Sequence, residues 1–162
     1  MKRLIKVWVL ISIVCTFSIA KDLNINSILN EATKSNKKVM FFFHIPHCPY
    51  CDRMLNNNFK DKNILDEINK SFILVDIYTA DKGKVSFNDF KGTRKNFASY
   101  LEANVVPATL FMNNDGQIIH KAMGYRNKDE YITEIKYVST DSYTRVDLEK
   151  FIEELEFADY DE

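Results

Sequence analysis

The sequence predicts an α/β domain, a central mixed β-sheet flanked by helices, on three observations. Two short apolar runs, Val39–Ile45 and Phe72–Tyr78, are too brief and too uniformly hydrophobic for surface helices and read as buried strands. Amphipathic segments lie before, between and after them, and connections of that kind place parallel strands side by side. A third strand, Val105–Met112, then meets Asn113-Asn114-Asp115-Gly116, a turn signal that folds Gln117–Met123 back as its hairpin partner. At 162 residues, 46% hydrophobic and 28% charged, the chain is an ordinary globular protein able to bury a core without disulfide staples. The net charge of −1 gives no electrostatic case for nucleic acid.

The first twenty residues stand apart from the fold. Met1–Lys6 is a short basic start, Val7–Phe17 an almost unbroken apolar run, and Ser18-Ile19-Ala20 sets small residues before Lys21. These are the three regions of a secretory signal peptide, with cleavage expected after Ala20, and the apolar run is short for a stable membrane anchor. Residues 21–162 are then a single domain. Cys15 falls within the signal, so Cys48 and Cys51 are the cysteines that remain, and an exported protein with one such close pair is no disulfide scaffold.

Within the domain, Lys21–Asn36 reads as an opening helix with Ile25, Ile28, Leu29 and Ala32 at helical spacing and Asn24 or Asn26 as cap. Lys37-Lys38 turn the chain into the Val39–Ile45 strand. After the cysteine pair, Asp52–Asn58 continues as helix, and Asp61 caps a second helical piece to Asn69. Thr79–Gly92 is polar and reads as an insertion loop or small hairpin, with Lys84–Phe87 as a short strand. Thr93 caps a helix to Leu101. Asn127 with Glu130 outlines a capping box for a helix through Tyr131, Ile132, Ile135 and Val138. Ser139–Thr144 breaks it, Asp147–Phe157 is a final amphipathic helix, and residues 157–162 form an acidic tail expected to fray.

The chemistry concentrates in His47-Cys48-Pro49-Tyr50-Cys51, between the Val39–Ile45 strand and a helix start. A thiol at the first turn of a helix faces unpaired backbone N–H groups and the positive end of the helix dipole, both of which favour thiolate, the nucleophile of disulfide exchange. A second cysteine three residues on can attack a mixed disulfide formed by the first. Pro49 fits the first helical position, where its missing donor costs nothing. A competing reading takes His44, His47, Cys48 and Cys51 as ligands of copper or zinc. A third takes the chain as a module that binds partners without turnover. Asp76 and His120 read as solvated surface residues, and His44 as a satisfied core histidine.

The β–α–β, α–β–β–α order, with Cys-x-x-Cys after the first of these strands, resembles the thioredoxin fold. The matching residues are Phe41–Cys51, Val106-Pro107-Ala108-Thr109-Leu110-Phe111, and Asn114–Gln117 followed by Gly124-Tyr125, and the likeness runs from about Leu23 to about Val138. It is closest to exported, periplasmic thioredoxin-like proteins, including those associated with sulfur oxidation, some of which carry a Cys-Pro-Tyr-Cys centre. The resemblance implies a thiol–disulfide oxidoreductase with Cys48 attacking and Cys51 resolving, and protein thiols and disulfides as partners. A membrane electron donor or acceptor and a cis Pro107 are further implications. With Pro107 in that form, Val106 would offer main-chain hydrogen bonds to an extended substrate, and His47, Pro49 and Tyr50 would border it. No cofactor is called for, because the electrons reside in the cysteine pair.

The final helix lies beyond the minimal fold. Two departures stand out. Phe42 occupies the position of the buried carboxylate that helps deprotonate the second cysteine in many thioredoxins, and His47 replaces the usual tryptophan, where an imidazolium would stabilise a Cys48 thiolate. Both lean toward an oxidant, while reductive service is equally compatible with the family, so the direction stays open.

Overall fold

A computed structural model describes residues 21–159, so the expected signal peptide, Cys15 and residues 160–162 lie outside the described residues. The order of elements is β1 (Leu23–Asn24), α1 (Ile25–Lys34), β2 (Lys38–His44), α2 (Pro49–Asn57), α3 (Lys62–Ser71), β3 (Phe72–Tyr78), β4 (Lys84–Phe87), β5 (Phe90–Thr93), α4 (Arg94–Tyr100), β6 (Ala108–Met112), β7 (Ile118–Met123), α5 (Lys128–Ser139) and α6 (Leu148–Asp159). The main sheet has the order β3-β2-β6-β7, with β2 and β3 parallel and the other pairs antiparallel.

The mixed sheet with helices on both faces follows from β2. Flanked by β3 and β6, it buries Val39 to Phe43 completely, which is why those five residues are all apolar. Side chains alternate across a strand. Val39, Phe41 and Phe43 therefore pack on one face against Ile25 and Leu29 of α1, Phe97 of α4 and Phe87 of β4. Met40 and Phe42 pack on the other against Met54 of α2, Ile64 and Ile68 of α3, and Tyr131 and Ile135 of α5. Each fully buried phenylalanine contributes roughly 1.5–3 kcal/mol of burial.

The helix starts carry the expected caps. Asn24 accepts from Ser27 N–H, Asp61 from Asn63 and Ile64 N–H, and Thr93 from Asn96 N–H, while Asn127 and Glu130 form a reciprocal capping box.

Several expectations are corrected. The opening helix begins at Ile25 rather than Lys21, because Leu23 and Asn24 pair in parallel with Val85 and Ser86 of β4. The Thr79–Gly92 segment, by contrast, takes the expected hairpin form, with Lys84–Phe87 as a strand; its second strand runs on to Thr93, and with β1 the hairpin makes a separate three-stranded sheet. The third strand begins at Ala108, not Val105, since Pro107 has no N–H for a ladder and Val105 is 54% exposed. The last helix continues to Asp159, through the start of the segment expected to fray. Its stripe is half covered: Phe151 is buried beside Tyr137, at 5.4 Å between rings, whereas Ile152 and Leu155 are exposed. His120 is not a surface residue. It lies on the β7 face that meets α5, with its side chain 15% exposed and its Nε2 2.6 Å from Glu134 Oε2.

Candidate active site

The loop that leaves β2 turns through His47, whose φ of 56° is left-handed, and delivers Cys48 as the N-cap of α2. Cys48 is extended there, and Pro49 takes the first helical position. The Cys48 sulfur accepts a hydrogen bond from the Cys51 N–H at 3.2 Å, so one unpaired amide of the helix start points at the sulfur. Cys48 and Cys51 are joined in a disulfide with their Cα atoms 5.2 Å apart. Cys51 is 1% exposed and Cys48 8%, which makes Cys48 the sulfur an incoming group can reach.

Strand register brings the other expected residues to the same end of the sheet. Phe43 pairs with Ala108, and Ala108 pairs with Met123. Pro107 and Gly124 therefore flank the β2 exit, and the Gly124 N–H donates to the Pro107 carbonyl at 2.8 Å. The Val106–Pro107 peptide is cis. Pro107 is buried and Val106 half-buried. Val106 lines an open groove with Ile45, Ala98 and Ala103, beside the loop that leads to Cys48. Tyr50 is 57% exposed, and its ring lies 5.6 Å from that of Tyr125. His47 is exposed at the mouth of the loop.

The suggested ligand tetrad is not assembled. His44 Nε2 is 2.7 Å from Asp76 Oδ1, its ring stacks on Phe42 at 5.5 Å, and the two sulfurs are bonded to each other. Among the described residues no three His, Cys, Asp or Glu side chains gather as metal ligands would. Phe42, at the position where the resemblance looks for an acid, is 1% exposed and packs edge-on against Phe59 at 4.6 Å.

Three features escaped the sequence reading. Arg53 of α2 lies over two rings, 5.8 Å from the centre of Tyr50 and 5.5 Å from that of Tyr125. Its spacing of three from Tyr50 on a helix was the available signal. Behind Tyr125, Arg126 donates through Nε to Glu134 and through one Nη to the carbonyls of Met123 and Tyr125, at 3.0 and 3.1 Å. Burial pushes the Glu134 carboxyl up, but hydrogen bonds from His120 and Arg126 outweigh it and hold the group below the usual carboxylate range. Asn58 adds a third tie, donating to the Arg126 carbonyl at 3.0 Å.

Gly124 is the hinge of this segment, with φ of 87° and open space where a Cβ would stand. Gly124→Ala should therefore cost about 1 kcal/mol of stability from backbone strain alone, readable as a shift in denaturant midpoint with an unchanged slope.

A family model described as a thioredoxin-like domain matches residues 25–139. No curated protein matches the sequence. Among solved structures the chain is similar to a thioredoxin-fold protein from Helicobacter pylori, with a TM-score of 0.57 and 20% identity over 74% of this chain and 80% of that one. It is also similar to a thioredoxin from Thermus thermophilus, with a TM-score of 0.56 and 18% identity over 74% and 88% of the two chains. A third similar structure, described as DsbH oxidoreductase, has a TM-score of 0.51 and 15% identity over 80% and 93%. At these identities the likeness speaks for the fold.

Proposed function

The chain belongs to the thioredoxin-like domain family, and on that premise we propose that it is an exported thiol–disulfide oxidoreductase acting on protein thiols and disulfides through Cys48 and Cys51. The observation that carries the reading is the asymmetry of the pair. Cys48 caps a helix, receives an amide hydrogen bond and is the more exposed sulfur, whereas Cys51 is enclosed one turn behind it.

In the reducing direction the Cys48 thiolate attacks a partner disulfide. One partner sulfur leaves as thiolate and takes a proton, and a mixed disulfide forms on Cys48. Cys51, deprotonated, then attacks the Cys48 sulfur. The mixed bond breaks, the second partner thiol leaves, and the pair, now the Cys48–Cys51 disulfide, has given two electrons to the partner. The oxidising direction runs the same steps in reverse. With Phe42 in place of an acid, the Cys51 proton passes to water or to the departing partner thiolate. Val106 and Pro107 border the partner's path, with the groove at Ile45 receiving its chain. His47, Pro49 and Tyr50 form the rest of the rim.

Export to the periplasm is supported by the basic start, apolar run and small residues that precede Lys21. A place among thioredoxin-like proteins associated with sulfur oxidation is supported by the Cys-Pro-Tyr-Cys centre and by Gly124-Tyr125-Arg126. A membrane-borne thiol pair would supply or accept the electrons.

The deciding measurement is the equilibrium of the pair with glutathione buffers, together with turnover of insulin disulfides. A potential near about −270 mV assigns a reductant, and one near about −120 mV an oxidant. Absence of exchange with glutathione and of any insulin turnover would overturn the reading.

A further inference from the structure

We propose, resting on the oxidoreductase reading above, that Arg53 with Tyr50 and Tyr125 forms a recognition platform for an acidic side chain of the partner, about two or three residues from the cysteine that Cys48 engages. The guanidinium is held against two ring faces that belong to different elements, Tyr50 in α2 and Tyr125 in the loop after β7. Such contacts fix the charge in place and leave the planar N–H fork available. Among the described residues no carboxylate lies within 4.0 Å of it, although ten other cations or histidines have found one. A fixed fork of five donors is suited to a carboxylate.

The platform is built rather than incidental. Tyr125 sits between Gly124, which sets the turn, and Arg126, which is tied to Glu134 and whose carbonyl is held by Asn58. Glu134 in turn is held by His120. Tyr50 lies between the two cysteines in the chain, on the first turn of the helix that Cys48 caps, which places the platform on the same helix as the reacting pair. Other ionisable groups near it are Asp52, about 100° away around α2 from Arg53, and His47 at the loop mouth. Arg53 follows Cys48 by five residues, about 7.5 Å along the helix axis, which is the span of about two or three residues of extended chain. That distance sets where the partner's acid should stand.

The test uses synthetic peptides with one internal disulfide, identical except for Glu, Gln or Lys three residues from one cysteine. The full chain is assayed for kcat/KM on each at low ionic strength. A Glu-over-Gln ratio of roughly threefold to fivefold is expected, with Lys below Gln, and the ratio should fall as salt is added. In Arg53→Gln the ratio should collapse to about one, with the change carried by KM. Equal rates on the Glu and Gln peptides, or a ratio unchanged in Arg53→Gln, would overturn the proposal. If no peptide turns over, the oxidoreductase reading fails by itself. The affinities of the S-methylated Glu and Gln peptides, read from chemical shifts at Tyr50 and Tyr125, then decide the platform: a Glu preference lost in Arg53→Gln supports it, and equal affinities overturn it.

Discussion

Cys48→Ser is expected to reduce protein-disulfide turnover on the order of a thousandfold or more, to the uncatalysed background, while Cys51→Ser stops turnover in a different way, by accumulating a covalent adduct on Cys48. The difference follows from where the two sulfurs sit. Cys48 is the reachable one, and a serine hydroxyl in its place is not ionised and does not attack sulfur. Cys51 is enclosed and meets only the Cys48 sulfur, so its loss leaves the first attack intact and removes the second. Mass spectrometry of Cys51→Ser after exposure to a disulfide substrate should show the mixed species, released by added reductant. Neither variant should unfold. The pair closes so short a loop that its contribution to stability is about 2 kcal/mol at most. Turnover at the wild-type rate in both variants would remove the dithiol from the reaction.

The parts of this architecture that are legible in the sequence are those whose signal is local. β2 reads correctly because a strand buried on both faces has to be apolar at every position from Val39 to Phe43. Asp61, Thr93 and Asn127 read correctly because a cap is a contact between neighbours along the chain. The cysteine pair is conspicuous for the same reason, since both members lie within four residues at a helix start. What is hidden depends on partners far off in sequence. β1 is two residues long and exists only through its pairing with β4, so no periodicity marks it. His120 reads as surface when taken singly, and it is drawn in with Arg126 around the buried Glu134 only because β7, its following loop and α5 converge. The Arg53 platform is partly legible, through the helical spacing of Tyr50 and Arg53, but Tyr125 enters it from a loop far along the chain.

Glu134→Ala is expected to destabilise the protein by about 3 kcal/mol, more than a substitution at the exposed rim of the dithiol. The side chain is 6% exposed and receives hydrogen bonds from both His120 and Arg126. Removing it strands the Arg126 guanidinium and the His120 ring in a half-buried site with only backbone carbonyls left to Arg126. The pH dependence gives the signature. Because the folded-state carboxyl titrates below its ordinary value, Glu134 contributes stability that is fully present above the unfolded carboxylate pKa of about 4.3. That contribution is lost as pH falls through the folded value. Denaturant titrations of wild type and Glu134→Gln should therefore differ most near neutral pH and converge in acid. A gap that stays constant from pH 7 to pH 3 would show that the carboxylate charge plays no part. Because the same carboxylate anchors Arg126, and Arg126 anchors Tyr125, Glu134→Gln should also loosen the ring that backs Arg53. Its effect on the dithiol would then appear as reduced discrimination between acidic and neutral peptides rather than as loss of the sulfur chemistry.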